Sequence, residues 1–521
     1  MTKKTFTPSA EQSAFLKWVE TGSGSCVLEA VAGAGKTTTL VEGVRRMKGS
    51  IFLGAFNKKM AEELKTRIKD FPNAKAGTFH SAGFSALRRV NDKIEIDEKK
   101  VRKIAEEVAR DAGQDYEPEF YSAACKLVSL AKQTGFRVAT LVPNTPVRFW
   151  MELVNRHDIG DDLSEDADLN QLCSFADLVL SLSNEDKAVI DFDDMIYMPL
   201  LRNLRLFRND WVLIDEAQDT NAVRRELASR MLRPGGRLVA VGDPHQAIYG
   251  FTGADNDSLD LIKRDFRAIT LKLSVSWRCP QAVVAAARDY VDHIRPADTA
   301  AMGSVTSIRY RQMLDTVSPG EAILCRFNAP LVETCFRLIR EGKAAKIEGR
   351  AIGDGLIALV GRWKVKTLDA LEGRLQKWLE KELAKIEASP KKDEGKKAAI
   401  EDKHATVLVL LERAREQSMT TVEELKTMIR NMFDDVGAAP NLVVLSSVHR
   451  SKGLEWHRVH ILGRGEIMPP KRQMQDWQME QEINLCYVAV TRAQVDLIDV
   501  ALPTPDDLKP KTKEEDKKEV A

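Results

Sequence analysis

The residues with the clearest chemical potential form the stretch AVAGAGKTT at positions 30–38. Its order departs from the phosphate-loop pattern GxxxxGK[ST] only at the first position, where Ala30 replaces glycine. Glycines let backbone N–H groups curl around phosphate oxygens at the start of a helix. The alternative is a glycine turn between a strand and a helix with no ligand. The predicted phosphate-binding residues are Ala32, Gly33, Ala34, Gly35, Lys36, Thr37 and Thr38, with Thr37 also on Mg²⁺.

A second motif is the acidic stretch LIDEAQD at 213–219, at the end of the apolar run WVLI. A carboxylate at a strand end beside a phosphate loop can hold Mg²⁺, so Asp215 is the predicted metal ligand. The adjacent Glu216 can take the proton from an attacking water, as a general base. Alone, this pair would also fit two solvated acids at the end of a strand.

Three further side chains have catalytic potential. Gln246 follows another apolar run, RLVAVGD at 237–243, and can hydrogen-bond a γ-phosphate or its attacking water. Arg278 and Arg492 are candidate arginine fingers, which stabilise charge on a transferring phosphoryl group. The alternative for a single arginine is a solvated surface residue.

The elements that position these residues alternate between strand and helix patterns. Apolar runs at 25–31, 51–56, 211–217 and 237–243 predict buried strands, and helical patterns follow several of them. This alternation is typical of a parallel sheet covered by helices on both faces. The predicted fold class is therefore α/β, with two parallel-sheet blocks and a helical insertion in each.

Composition is compatible with many functions. The chain has 521 residues, is 44% hydrophobic and 30% charged, and carries a formal net charge of +1. That charge neither supports nor excludes nucleic acid, since a basic groove on a neutral body suffices. None of the seven cysteines forms a CxxC pair, so we expect reduced, mostly buried thiols. No secretion signal or membrane span is predicted, and we expect a cytoplasmic protein of a bacterium or phage-infected cell.

Taken in order, these motifs resemble those of superfamily 1 DNA helicases of the UvrD/Rep/PcrA type. The matching segments run from PSAEQSAFL through AFNKKMAEEL, GTFHSAG, LIDEAQD and VGDPHQAIYGFTGAD to LSVSWRCP, VHRSKGLEW and NLCYVAVTRAQ. The family favours AxxGxGKT, so Ala30 fits it. The resemblance implies two RecA-like domains, ATP and Mg²⁺ as cofactors, and single-stranded DNA and single-strand/duplex junctions as partners.

The resemblance also implies roles for residues that spacing alone leaves unassigned. Gln12 would read the adenine edge, Trp277 would stack on adenine and Glu455 would meet the ribose. Lys452 would join the second domain's nucleotide wall as well as the strand contacts. The implied DNA contacts are Phe56, Asn57, Lys58, Thr78, His80, Tyr249, Phe251, His449 and Lys452. Core packing is the alternative for several of them, Phe56 in particular.

Four departures from the family bear on function. Phe251 stands where the family usually has a tryptophan for base stacking, and Thr252 stands where arginine is common. Trp277 replaces the usual tyrosine before the arginine of its motif. The second helical insertion is much shorter than in the better-known members, which puts its duplex contacts in doubt.

The resulting domain prediction has five parts. Residues 1–89 and 186–270 form RecA-like domain 1A, and 90–185 form helical insertion 1B. Residues 271–349 and 438–502 form domain 2A, 350–437 form a reduced insertion 2B, and 503–521 form a disordered charged tail. The resemblance implies ATP-driven unwinding and translocation with 3′→5′ polarity, and we expect a monomer with protein partners from DNA replication or repair. The alternatives are a translocase that displaces proteins with little unwinding, and an NTPase independent of nucleic acid. RNA is a less favoured substrate.

Overall fold

A computed structural model describes residues 6–141, 146–157, 159, 163, 168–248, 257–388, 394–471, 474, 476–504 and 507. The predictions for Tyr249, Phe251 and Thr252, and for almost all of the tail, concern residues outside these ranges. The chain divides into two compact units. The first comprises residues 1–275 with 384–393, and the second comprises 276–383 with 394–521.

The first unit contains eight strands and eleven α-helices among its described residues. They are, in order, α1 (Ala10–Thr21), β1 (Cys26–Ala30), α2 (Lys36–Val44), β2 (Ile51–Ala55), α3 (Lys58–Ile68), β3 (Ala74–Thr78), α4 (Phe79–Arg88), β4 (Glu95–Ile96), α5 (Lys100–Asp111), α6 (Pro118–Thr134), α7 (Pro146–Arg156), α8 (Leu169–Glu185), β5 (Val189–Ile190), α9 (Asp194–Leu201), β6 (Asn209–Ile214), α10 (Ala222–Arg230), β7 (Leu232–Gly242), α11 (Ser258–Asp265) and β8 (Ile269–Leu273). Strand β9 (Val275–Ser276) follows at the division.

Six of these strands form one sheet in the order β3-β2-β6-β7-β1-β8, and every described pairing is parallel. The apolar strands β1, β6 and β7 are buried because helices cover both faces of such a sheet. Edge strand β8 pairs with β1 in register from Cys26↔Ile269 to Ala30↔Leu273. The first sheet therefore extends past the predicted boundary at 270, since the hydrogen bonds of residues 271–273 belong to it.

Helices α5–α8 lie within residues 90–185, the segment predicted as the first insertion, and a buried ionic cluster lies where α5 and α6 meet α9. The Lys132 ammonium contacts carboxylate oxygens of Asp191 at 2.5 Å and Asp194 at 2.8 Å, and Lys100 contacts Asp194 at 2.7 Å. Lys132 and Asp194 are fully buried, so the loss of one partner would leave an uncompensated buried charge. The cluster fixes the helical insertion to the segment that leads into β6.

The second unit contains the remaining elements, except that residues 384–388 at the end of α16 fall in the first unit. They are α12 (Gln281–Ala287), β10 (Arg295–Pro296), β11 (Ser304–Ile308), α13 (Tyr310–Thr316), β12 (Ala322–Cys325), α14 (Asn328–Arg340), β13 (Ala345–Glu348), α15 (Arg350–Gly361), α16 (Leu368–Ala388), α17 (Glu394–Glu416), α18 (Val422–Met432), β14 (Phe433–Asp434), β15 (Val443–Ser447), α19 (Val448–Ser451), β16 (Trp456–Leu462), α20 (Asp476–Val490) and β17 (Ala493–Val500).

Seven strands of this unit form a second parallel sheet in the order β11-β17-β16-β12-β15-β13-β14. The predicted fold class, α/β with two parallel sheets and helical insertions, is confirmed. The short strand β14 lies inside the segment predicted as a helical insertion and pairs with β13. This pairing ties the end of the insertion to the sheet.

All seven cysteines are free thiols, and all except Cys125 are buried, as their spacing predicted. No helix in the described part of the chain has the length and apolar character needed to cross a membrane.

Candidate functional site

The phosphate loop connects β1 to α2. It contains two glycines whose backbone conformation only glycine adopts easily. Gly33 and Gly35 have φ angles of 72° and 76°, in the left-handed region where a Cβ is strained. Ala30 instead ends β1 within the sheet, and its Cβ is accommodated there with 1% exposure. The first position of the pattern therefore has no need of glycine in this chain.

Lys36 is the first residue of α2 and points across the loop. Its ammonium nitrogen lies 2.8 Å from a Glu216 carboxylate oxygen, and both side chains are largely shielded. Burial alone would lower the pKa of Lys36, but the charges of Glu216, Asp243 and Asp215 raise it. One ammonium thus faces three carboxylates.

Asp215 and Glu216 follow β6, which is separated from β1 by β7. Asp215 is 5% exposed, and burial together with the Glu216 charge raises its pKa to about 7. Glu216 has a φ of 51°, an uncommon conformation for a residue with a side chain. Such strain clusters at functional sites.

A chain of hydrogen bonds links Glu216 to the residues after β7. The Gln218 amide nitrogen donates to Glu216 at 2.6 Å, and its oxygen accepts from the Asp243 backbone at 3.1 Å. The Gln246 amide nitrogen donates to the Asp243 carboxylate at 2.7 Å. A Cβ at Gly242 would come within 2.5 Å of the Gln218 amide oxygen, so this glycine permits the approach.

Gln218 and Asp243 were not among the predicted site residues. Both lie in quoted segments, and an acidic residue at the end of a strand was the available signal for Asp243. The role of Gln218 depends on its neighbours in space, which the order of residues in LIDEAQD does not reveal. We define Lys36, Glu216, Gln218, Asp243 and Gln246 as the polar chain.

The donor set fits ATP with Mg²⁺. Excess carboxylate beside the loop suits a divalent cation, and Thr37 and Asp215 would supply two of its oxygen ligands. Among the described residues, no three His, Cys, Asp or Glu side chains are grouped to hold a metal ion. Mg²⁺ commonly takes one or two protein ligands and completes its shell with phosphate oxygens and water.

Gln12 lies on α1 and is 3% exposed. Its side-chain oxygen accepts from the backbone of Ser9 at 3.0 Å, and its amide nitrogen donates to the Thr39 hydroxyl at 2.9 Å. The first contact belongs to a capping box that starts α1. The structure therefore connects Gln12 to the helix that follows the phosphate loop.

The predicted nucleotide residues of the second unit gather where β16 and β17 begin. Glu455 and Arg492 directly precede these paired strands, and the Arg278 Nε lies 2.5 Å from a Glu455 carboxylate oxygen. Glu455 also accepts from the Gln494 amide at 2.8 Å. Trp277 is 49% exposed, so its ring is available for stacking.

Arg492 differs from Arg278 because it is 1% exposed. Its guanidinium donates to the carbonyls of Val488 at 2.9 Å and Leu454 at 3.2 Å, and to the Thr491 hydroxyl at 3.2 Å. Burial and the nearby Arg278 charge lower the pKa of Arg492 to about 9. These contacts occupy three of the five N–H donors of the guanidinium and hold it against its own unit.

The predicted strand contacts of the first unit follow β2 and β3. These strands are neighbours, with Ala55 opposite Thr78, so Phe56 and His80 lie close together. Both line a cavity of about 160 Å³ with Arg224, whose guanidinium lies 4.8 Å from the Phe56 ring centre. Burial and Arg224 lower the pKa of His80 to about 4, so its ring is neutral at pH 7.

Three further predicted DNA contacts of the first unit either cap a helix or are exposed to solvent. The Asn57 side chain caps α3 by accepting from Met60 at 2.9 Å. The Thr78 hydroxyl caps α4 by accepting from Ser81 at 3.1 Å. Lys58 is exposed at the first position of α3. Arg224, which the sequence did not single out, joins this group only through the fold.

In the second unit, His449 and Lys452 lie on and just after α19, which follows β15. Burial and the charges of Arg326 and Lys452 lower the pKa of His449 to about 3, so it too is neutral. The adjacent strand β12 leads to Arg326 and Phe327. Sequence reasoning had not marked this pair.

The chain has two parallel sheets covered by helices. In the first sheet, the phosphate loop follows β1 and the acidic pair follows β6. These features define a nucleotide-binding protein of the phosphate-loop class. The UvrD/REP helicase N-terminal domain matches residues 11–267, and the UvrD-like helicase C-terminal domain matches residues 356–500. The chain belongs to the UvrD/Rep helicase family, which confirms the predicted resemblance.

Individual relatives are distant. The ATP-dependent DNA helicase Rep of Buchnera aphidicola is 24% identical, over 53% of this chain and 43% of its own length. The ATP-dependent DNA helicase UvrD1 of Mycobacterium bovis is 27% identical, over 51% of this chain and 37% of its own length. UvrD2 of M. bovis, also named an ATP-dependent DNA helicase, is 25% identical over 91% and 75%. The chain thus spans less than half the length of the Rep and UvrD1 relatives it matches.

Proposed function

We propose that this protein is an ATP-dependent DNA helicase that moves 3′→5′ along single-stranded DNA. The observation that carries the proposal is the polar chain at the carboxyl edge of the six-stranded sheet. The candidate strand contacts after β2 and β3 lie on the same edge. The names of the Rep, UvrD1 and UvrD2 relatives support this activity.

The side chains of the first unit suggest how hydrolysis begins. Lys36 and Glu216 neutralise each other at 2.8 Å, so Lys36 must exchange this partner for a phosphate oxygen when nucleotide binds. That exchange removes the ammonium from Glu216, whose carboxylate would then accept a proton from water. Gln218 keeps the carboxylate oriented through its 2.6 Å hydrogen bond. Bound Mg²⁺ would neutralise phosphate charge, with Thr37 and Asp215 as its protein ligands.

Residues of the second unit would complete the reaction. In this proposal Arg278 and Arg492 stabilise the transferring phosphoryl group, Trp277 stacks on adenine and Glu455 meets the ribose. Contacts made only while ATP is bound would favour closure of the two units on the nucleotide, because a ligand shifts an equilibrium by its differential affinity. Hydrolysis removes those contacts, and alternating grip on the strand gives stepping.

A translocase that displaces proteins with little unwinding is a second candidate. The observation that favours it is the small second insertion, whose described helices are α15–α18 and whose end pairs with the sheet through β14. Such a compact element offers little surface to a duplex.

The direct test compares steady-state ATPase activity with and without single-stranded DNA, in wild type and Glu216→Gln. Loss of a general base should lower DNA-stimulated kcat by about 10²–10⁴-fold while ATP still binds. Glu107→Gln, at an exposed glutamate of α5, is the matched control. Full turnover by Glu216→Gln would disprove the base assignment, and ATPase activity unaffected by DNA would disprove the motor.

Strand displacement separates the two candidates. Duplexes with a 3′ or a 5′ single-stranded tail should show unwinding only from the 3′ tail, and displacement of a protein block on the same tails reports translocation. Block displacement without duplex unwinding would favour the second candidate.

A further inference from the structure

The segment that leads out of the first unit is bound to helix α1 by the side chain of Glu11. Its carboxylate accepts a hydrogen bond from the backbone N–H of Ser274 at 2.6 Å and another from the Ser274 hydroxyl at 2.5 Å. The two residues are 263 positions apart in the chain, and Ser274 is 6% exposed. Hydrogen bonds to an ionised acceptor are about twice as strong as those to a neutral one. We call this pair of residues the exit clamp.

Ser274 directly follows β8 and lies next to the division between the two compact units. Val275 ends the long segment of the first unit, and Ser276 begins the second. Trp277 and Arg278, both candidate nucleotide residues, follow within the next two positions. A bond at Ser274 therefore fixes the start of the backbone that carries these two side chains.

The neighbours of the exit clamp are themselves bonded to the elements around the phosphate loop. Gln12, the next residue on α1, donates from its amide nitrogen to the hydroxyl of Thr39 on α2 at 2.9 Å. Leu273, the last residue of β8, accepts at 2.9 Å from the backbone N–H of Val31 in the loop. Helix α1, the phosphate loop and the exit from β8 are thus held together by hydrogen bonds on either side of the clamp.

Trp277 and Arg278 differ in what else holds them. The Arg278 guanidinium contacts the Glu455 carboxylate at 2.5 Å and donates to the Thr491 carbonyl at 3.3 Å. Among the described residues, the Trp277 side chain has no hydrogen bond or aromatic contact, and it is 49% exposed. The position of the Trp277 ring therefore depends on the backbone that carries it, whereas Arg278 also has partners of its own.

We propose that Glu11 is a positioning residue for adenine binding. By holding Ser274, it sets where the Trp277 ring stands for the base, while phosphate binding stays with the loop. The exit clamp thus lets the base contribute to nucleotide affinity. This inference rests on the proposed function, since it requires that Trp277 stacks on adenine.

The test measures equilibrium binding of the full chain to ATP and to inorganic tripolyphosphate, which has no base. An aromatic stack corresponds to about 2- to 10-fold in affinity. Glu11→Ala should therefore weaken ATP binding by about this factor and change tripolyphosphate binding little. In steady-state kinetics KM for ATP should rise by a similar factor with kcat changed less than about 2-fold, because the lost contact is made equally in the ground state and the transition state.

A double-mutant cycle separates positioning from general destabilisation. Trp277→Ala removes the ring and should weaken ATP binding at least as much as Glu11→Ala does. In the Trp277→Ala background, Glu11→Ala should add little further loss, because the ring that it positions is gone. Losses that multiply in the double variant would overturn the proposal.

Three further variants probe the exit clamp itself. Glu11→Gln keeps a side-chain oxygen for the Ser274 N–H and should retain most of the ATP affinity. Ser274→Ala loses the hydroxyl but keeps the backbone bond, so it should weaken ATP binding less than Glu11→Ala. Glu20→Ala, at an exposed glutamate of the same helix, should match wild type. Unchanged ATP affinity in Glu11→Ala, or equal loss for ATP and tripolyphosphate, would contradict the positioning role.

The failure of the proposed function has a different signature. If Trp277→Ala left ATP affinity unchanged, the stacking role in the proposed function would be wrong, and the role of the exit clamp with it. If Trp277→Ala weakened ATP binding while Glu11→Ala did not, only the role of the exit clamp would be wrong.

Discussion

In the six-stranded sheet the candidate nucleotide residues follow the carboxyl ends of β1, β6 and β7. In the seven-stranded sheet Glu455 and Arg492 instead precede the amino ends of β16 and β17, while the candidate strand residues His449 and Lys452 follow β15. The first unit thus has both candidate sites on one edge. The second has them at opposite ends of its strands.

The two regions also differ in how their charges are satisfied. The polar chain consists of side chains that pair with one another, as in the 2.8 Å contact between Lys36 and Glu216. Arg492 is satisfied mainly by backbone carbonyls of its own unit. Nucleotide binding in the first unit therefore needs an exchange of side-chain partners, whereas the guanidinium of Arg492 is held in place by the backbone.

The largest expected effect tests the arginine side of this comparison. Arg492→Ala should lower DNA-stimulated kcat by about 10³–10⁵-fold if Arg492 acts as a finger. Arg492→Lys should be nearly as impaired, because the compact ammonium lacks the guanidinium's planar fork. Arg430→Ala, at an exposed arginine of α18, is the control.

Thermal unfolding must accompany these assays because Arg492 is buried. A large loss of stability with unchanged kcat per folded molecule would assign Arg492 a purely structural role. Arg278→Ala then becomes the decisive variant, since Arg278 pairs with a side chain rather than being enclosed.

A smaller effect is expected in the polar chain. Gln218→Ala removes both the 2.6 Å bond to Glu216 and the bond to Asp243. Misorientation of the general base Glu216 should lower kcat by about 10-fold with little change in nucleotide affinity. This is a part of the ~10²–10⁴-fold that general base catalysis contributes in total. Steady-state kinetics and fluorescent-nucleotide binding would measure the two quantities. A change in affinity alone would contradict the orienting role.

The pH dependence of stability probes the burial of Asp215, whose pKa is raised to about 7 against about 4 in an unfolded chain. Between these values the folded protein binds the extra proton, so this group's contribution to stability falls as pH rises to 7. Asp215→Asn removes that loss. Denaturant unfolding should show the variant gaining on wild type from pH 5 to pH 8. A pH-independent difference would refute the shift.

The smallest expected effect concerns the phosphate loop itself. Ala30→Gly restores the strict pattern but should change nucleotide affinity less than about 2-fold and lower stability by roughly 0.5–1 kcal/mol, because glycine is costly in a strand. Gly33→Ala, at a φ of 72°, should be clearly worse in both. Isothermal binding and unfolding of the two variants would show the contrast. Improved binding by Ala30→Gly would refute it.

The fold class and the core of the nucleotide site could be predicted from the sequence. The alternation of apolar runs with helical patterns predicted the two parallel sheets, since burial on both faces demands continuous apolar strands. The phosphate loop and the acidic pair were readable because their residues are contiguous and their chemistry is local. The order of the motifs also identified the family.

Only the tertiary structure decided which distant residues meet. Gln218 and Asp243 joined the site because β6 and β7 are neighbours, and Glu11 met Ser274 because α1 lies against β8. The placement of β8 in the first sheet was likewise a matter of pairing. The sequence showed Ala30 at the first position of the phosphate-loop pattern, and the fold showed why alanine is sufficient there. Ala30 ends a strand, while the left-handed conformations that need glycine occur at Gly33 and Gly35. The chemistry of a contiguous motif can be read from neighbouring residues. The burial of a side chain and its hydrogen-bond partners depend instead on which distant residues pack against it.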